Sequence, residues 1–263
     1  MANNLTLEDI NNLYFWATKL EEKPINNLSY ENIESKEDIL NLTYITVRNS
    51  LPKEVFKLNR LESLGIYVED LTELPKEIGN LTNLKGLYIE CPNLIKELPK
   101  EIWNLTNLEH LRIECTNLNE LPKEIGNLNN LEYLGIGCHN LNEIPKEIGN
   151  LNNLQSLYIT CPNLNELPKE IGNLNNLESL EIKCSNLKEL PKEIGNLNNL
   201  KSLEIKCSNL KELPKEIWNL SEFEVEFDIK NNNNKELLKY IVDSPNNENK
   251  YVELKIKIKK KED

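Results

Sequence analysis

Six cysteines, two histidines and a scattered set of tyrosines are the residues of this sequence with chemistry to offer. Cys91, Cys115, Cys138, Cys161, Cys184 and Cys207 recur every 23 or 24 residues. Such an array could ligate a soft metal, form disulfides or fill a core. Metal sites favour short local spacings such as C-x-x-C, which are absent. Disulfides between neighbouring parallel strands have poor geometry, and six in a row would be odd. A free cysteine also behaves as a small buried hydrophobe, and Val68 takes the equivalent position in the first full unit. Core packing is the expected role, and reduced thiols favour a reducing, cytoplasmic compartment. His110 and His139 have no neighbouring nucleophile to activate. His139 follows Cys138, but strand alternation sends the two to opposite faces. No phosphate-binding glycine loop, metal cluster or catalytic carboxylate pair appears. The expectation is no catalysis, no metal and no cofactor.

The regular spacing comes from a repeat. "LPKE" begins at Leu51, Leu74, Leu98, Leu121, Leu167, Leu190 and Leu213, with "IPKE" at Ile144. Every spacing is 23 residues except the 24 between Leu74 and Leu98, where "CPNLIKELP" is one residue longer than "CPNLNELP". One unit reads L-x-x-L-x-I-x-C-x-N-L-x-E-L-P-K-E-I-G-N-L-x-N. Within "LESLEIKC", Leu180, Ile182 and Cys184 alternate with Glu181 and Lys183, the pattern of a strand with one dry face. The proline of "LPKEIGNL" suits the start of a short helical turn, where a missing N–H costs nothing. A single unit cannot bury its apolar edge, and stacking can. Eight stacked strands make a sheet about 35–40 Å long.

This pattern resembles the leucine-rich repeat family in its intracellular 23-residue "LP" form, over residues 42–220. The resemblance implies an α/β solenoid: a horseshoe with a parallel concave sheet and short helical or 3-10 convex segments. It also implies a binding function, without naming the partner. One departure stands out. The family's usual asparagine or cysteine is ninth in the unit; here cysteine is eighth and asparagine tenth, at Asn93, Asn117, Asn140, Asn163, Asn186 and Asn209, with Asp70 first. These asparagines are expected to satisfy backbone groups of the turn leaving the strand. Phe56, Trp103 and Trp218 replace the glycine of "IGNL", so that position needs no positive φ and is expected on the exposed convex surface.

Residues 1–41 read as an N-terminal cap, with a helix from Leu7 to Glu21 and Thr6 as its N-cap. Residues 221–263 read as a strand–helix–strand cap, through "FEVEFDIK", "NKELLKYIVDS" and "YVELKIKIKKK", with Lys255, Lys257 and Lys259 blunting the edge. The 263 residues carry 31 basic and 43 acidic side chains, a net charge of -12. That balance argues against nucleic acid or an anionic membrane as partner. The start lacks a secretory pattern, and no apolar run is long enough to span a bilayer.

Variation between repeats falls on the outward strand positions. Five of the nine tyrosines lie there, interleaved with four of the nine glycines, and the last two full repeats turn to a Glu/Lys lattice. Tyr44, Arg48, Tyr67, Tyr88, Glu90, His110, Arg112, Glu114, Tyr133 and Tyr158 are the candidate partner-binding residues, because amphipathic rings on an uneven surface suit burial against a protein. Alternatives are a glycan or small-ligand sensor using the tyrosine patch, and a structural adaptor. The oligomeric state is left open.

Overall fold

In the computed structural model of the chain, residues 5–18, 34–94 and 97–220 are described. The alternating segments form strands β1 (Tyr44–Val47), β2 (Ser63–Ile66), β3 (Gly86–Glu90), β4 (His110–Glu114), β5 (Tyr133–Ile136), β6 (Ser156–Ile159), β7 (Ser179–Ile182) and β8 (Ser202–Ile205). They pair in sequence order as one eight-stranded sheet. All pairs are parallel and keep the repeat's register, so Leu64, Leu87, Leu111, Leu134, Leu157, Leu180 and Leu203 form one buried row.

Each strand returns through a five-residue 3-10 turn, from Lys53–Lys57 in the first repeat to Lys215–Asn219 in the last. The proline before each turn is extended, with φ between -60 and -76°. Its missing N–H loses nothing there, and its carbonyl accepts the first turn bond, as in Ile194 N–H to Pro191 O at 3.1 Å. The core lies between sheet and turns. In one repeat it holds Leu177, Leu180, Ile182, Cys184, Leu187, Leu190, Ile194 and Leu197, all buried. Stacking is what makes this interior dry, since every side chain is covered by its copies above and below.

Two expectations about the repeat are corrected. The tenth-position asparagines do not hold the turn leaving the strand with short bonds. Asn93, Asn117, Asn140, Asn163 and Asn209 are exposed and Asn186 is half-buried. Their bonds are long, such as Asn117 Nδ2 to Pro92 O at 3.4 Å. A different asparagine, in "NLxNL", ties the coils together. Asn83, Asn107, Asn130, Asn153, Asn176 and Asn199 each donate to a backbone carbonyl of the preceding repeat, at 2.7–2.9 Å. The acceptor sits 24 or 25 residues earlier, so one repeat read alone does not reveal it.

The glycine slot of the 3-10 turn is also not an exposed convex position. Phe56 and Trp103 are each 1% exposed, and Trp218 is partly buried against the core. The slot faces the next coil. A Cβ on Gly172 would lie 2.4 Å from Glu193 O, and one on Gly195 2.3 Å from Glu216 O. The aromatic residues are accommodated by spacing: the turns that follow Phe56 and Trp103 pack least closely on their predecessors.

At the start, helix α1 (Leu7–Thr18) is followed by helix α2 (Lys36–Asn41), which was not anticipated. The predicted end of the first helix, near Glu21, and the whole C-terminal cap lie outside the described residues. Thr6 caps α1: its Oγ1 accepts from Asp9 N–H at 3.1 Å, and Asp9 Oδ2 accepts from Thr6 N–H at 2.7 Å. Asp9 also holds Lys57 Nζ at 2.8 and 2.9 Å, pinning the helix to the first turn. These bonds, led by the one from Lys57, lower its carboxyl from 3.8 to about 2. A carboxylate depressed on folding contributes stability above its unfolded pKa, lost as pH falls through the folded one. Melting temperature should therefore fall between about pH 4 and pH 2, and Asp9→Asn should remove part of that slope. A thermal-melt series across this range checks it.

Candidate partner-binding face

Strand alternation sends every second side chain to the outer, concave side of the sheet, in three rows. The first row is Tyr44, Ser63, Gly86, His110, Tyr133, Ser156, Ser179 and Ser202. The second is Thr46, Gly65, Tyr88, Arg112, Gly135, Tyr158, Glu181 and Glu204. Arg48, Tyr67, Glu90, Glu114, Gly137, Thr160, Lys183 and Lys206 continue the alternation as the third.

The glycines of this face have a positional purpose. A Cβ on Gly65 would be 2.8 Å from Cε2 of Tyr67, and one on Gly86 3.2 Å from Cε2 of Tyr88. A Cβ on Gly135 would be 3.3 Å from the Tyr133 hydroxyl. Each ring lies down along its own strand over a glycine two residues away. A standing tyrosine would be mobile and exposed; a seated one is half-buried and fixed. Burial pushes the phenols of Tyr67, Tyr88 and Tyr133 up from their usual 10.0, so they stay neutral hydrogen-bonding groups at physiological pH. The cue for these seats was present in "GIY", "GLY" and "YLG", but it needs the ring's direction to be read.

Charged neighbours are already partnered. The Arg48 guanidinium lies 4.8 Å from the centre of the Tyr67 ring. Arg112 Nε donates to Glu114 Oε1 at 2.8 Å, and Nη2 reaches the same oxygen. Glu181 pairs with Lys183, and Glu204 with Lys206, two residues along their strands. The face carries Arg48, Arg112, Lys183 and Lys206 against Glu90, Glu114, Glu181 and Glu204, so it is neutral on a chain of net charge -12.

Of the candidate residues, His110, Arg112, Glu114, Tyr133 and Tyr158 come together. The Tyr133 ring is 6.2 Å from His110 and 5.3 Å from Tyr158, centre to centre. An open hollow of about 370 Å³ lies among Arg112, Glu114, Tyr133 and Tyr158, and extends to Glu181 and Lys183, which the sequence reading left out of the site. Tyr44, Arg48, Tyr67 and Tyr88 continue the face over β1–β3, where Tyr88 stands opposite Arg112 and Glu90 is exposed. A second groove of about 460 Å³ follows the flank at Glu62, Lys85 and Glu109. Its asparagines are committed to the inter-coil ladder and Lys85 pairs with Glu62 at 3.0 Å, so it offers fewer open groups.

The thiols face the other way. All six are buried and unpaired by disulfides. Cys91, Cys138, Cys161, Cys184 and Cys207 point Sγ at the carbonyl of an isoleucine in the preceding coil, at 3.7–4.0 Å, a weak ladder inside the core. Burial pushes Cys115 up to about 12 and Cys161 and Cys207 to about 11. Among the described residues no group of three or more His, Cys, Asp or Glu is placed to hold a metal ion, and no helix is long and apolar enough to cross a membrane.

A family model described as a leucine-rich repeat region matches residues 123–186. No curated protein matches the sequence. Among solved structures, a leucine-rich repeat protein of Leptospira interrogans is 33% identical, with a TM-score of 0.65, over 84% of this chain and 57% of that one. The plant peptide hormone receptor RGFR1, solved in complex with RGF2, is 32% identical over 68% of this chain and 30% of the receptor, with a TM-score of 0.57. The leucine-rich repeat domain of the type III effector XopL shares the fold at 24% identity and a TM-score of 0.54, over 81% of this chain and 87% of that domain. The chain thus spans little more than half of the Leptospira protein and under a third of the receptor. With the 23-residue period, the parallel open sheet and its 3-10 returns all in agreement, the chain is a leucine-rich repeat protein.

Proposed function

We propose that this chain is a non-catalytic module that binds a protein partner through the concave face of its sheet. One observation carries the reading: the rings of Tyr67, Tyr88 and Tyr133 rest against glycines of their own strands, so this part of the aromatic surface is ordered before any partner arrives. Little side-chain freedom remains to be lost on binding, which leaves more of the contact energy as affinity. Leucine-rich repeat folds generally act as protein-interaction modules, and RGFR1 is solved with RGF2 bound. The buried thiols fit a reducing compartment, in keeping with a cytoplasmic protein.

Replacing Tyr88, Arg112 and Tyr133 together by alanine should abolish capture of the native partner from source-cell extract, by at least about tenfold. The melting temperature should change little, because these side chains lie outside the core. Undiminished capture would remove the face from the reading. The hollow beside Tyr133 and Tyr158 supports a second reading, a glycan or small-ligand sensor. A thermal shift with a glycan panel, and no captured protein, would favour it.

A further inference from the structure

The hollow over β5 has a polarity that the face as a whole lacks. It exists because Gly135 and Gly137 leave two successive outward positions without side chains. Arg112 and Glu114 wall it on one side, Glu181 and Lys183 on the other, with Tyr133 and Tyr158 between. In both ion pairs the carboxylate lies deeper. The Glu114 side chain is 33% exposed against 50% for Arg112, and Glu181 19% against 38% for Lys183. Long basic side chains reach the rim while the carboxylates stay near the floor.

The carboxylates also have capacity left. Both Arg112 bonds go to Oε1 of Glu114, and Lys183 takes Oε1 of Glu181. Each carboxylate has a second oxygen with lone pairs of its own. Between them, the tyrosine ring faces are electron-rich. The chain itself shows what such a seat accepts, since Arg48 lies over Tyr67 on the same face. No described cation lies over Tyr133 or Tyr158.

We infer that this hollow is a socket for one lysine or arginine side chain of a protein partner whose contact segment is basic. The inference rests on the concave face being the docking surface. A cation that passes between Arg112 and Lys183 at the rim meets the carboxylates of Glu114 and Glu181 and the two tyrosine rings below. At that depth an acidic side chain would meet the same carboxylates in repulsion. The net charge of -12 draws basic partners from a distance.

A random-peptide display library panned on the full chain tests this. Enriched peptides should share one basic position, and citrulline or norleucine there should weaken binding about tenfold. Glu114→Gln with Glu181→Gln should cost the same factor and add nothing to the citrulline peptide. Enriched peptides without a shared basic residue, or binding indifferent to the glutamine pair, overturn the socket. If those peptides still need Tyr88, Arg112 and Tyr133, the concave-face reading stands without it. Peptides indifferent to all of these residues overturn both.

Discussion

Leucine in place of Gly172 should destabilise the protein by about 3 kcal/mol, and alanine by most of that. The reason lies at Cβ rather than further out. At this position Cβ would be 2.4 Å from Glu193 O, 2.7 Å from its Cβ and 2.9 Å from its carbonyl carbon. Gly149 and Gly195 are equally close to Glu170 O and Glu216 O, at 2.4 and 2.3 Å. These are mostly backbone atoms of the next coil, which cannot swing aside as a side-chain tip can. The next turn must shift, and in a solenoid each coil is held mainly by its neighbours. The loss therefore falls on one interface. Phe56 and Trp103 show what a wider interface looks like. Their turns stand less closely packed on the following ones, and the buried Trp103 Nε1 has no hydrogen-bond partner. Leaving such a donor unpaired costs about 1–3 kcal/mol. Urea unfolding of Gly172→Ala and Gly172→Leu measures the effect. An alanine variant as stable as the parent would mean that the coils are not held at this distance.

The second large effect concerns the thiol column. At neutral pH none of the six cysteines should react with a disulfide reagent in the folded protein, and all six should react on unfolding. Reaction must wait for opening, so the rate should drop by about a thousandfold or more. Alkali should then unfold the protein at a pH where an ordinary leucine core would survive. An unfolded thiol titrates near 9.0, whereas Cys115 is held at about 12 and Cys161 and Cys207 at about 11 by burial. An acid whose pKa is raised on folding contributes its full share below the unfolded value. That share is lost as pH climbs from the unfolded pKa towards the folded one, because the unfolded chain gives up its proton first. Each such thiol removes about 1.4 kcal/mol per pH unit. Several acting together exceed a typical folding free energy within one or two units, so the alkaline midpoint should fall near about pH 10–11. The raised phenols of Tyr67, Tyr88 and Tyr133 push the same way. Cys161→Ala should raise this midpoint while lowering stability modestly at pH 7. A midpoint unmoved by the loss of that thiol would contradict the assignment, and circular dichroism against pH reads it directly.

The parts of this protein that depend on one coil were legible in its residues. The period-two alternation around Leu180, Ile182 and Cys184 decides which side chains face in, and the proline of "LPKE" decides where the return turn begins. Both follow from backbone geometry over a few residues, and the 23-residue period multiplies them into a sheet. Only the stacked structure decided what happens between coils. The tenth-position asparagines look suited to the adjacent turn, yet the bonds across coils come from Asn83 and its equivalents. Trp103 looked like a convex surface residue and is buried, because the coil above covers it. The tyrosine seats on Gly65, Gly86 and Gly135 depend on which way a ring lies. In each case the deciding partner is either a whole coil away in sequence or chosen by side-chain direction. A contact made at that separation leaves no local pattern, since its energy depends on how closely two coils approach, and that distance exists only once they are stacked.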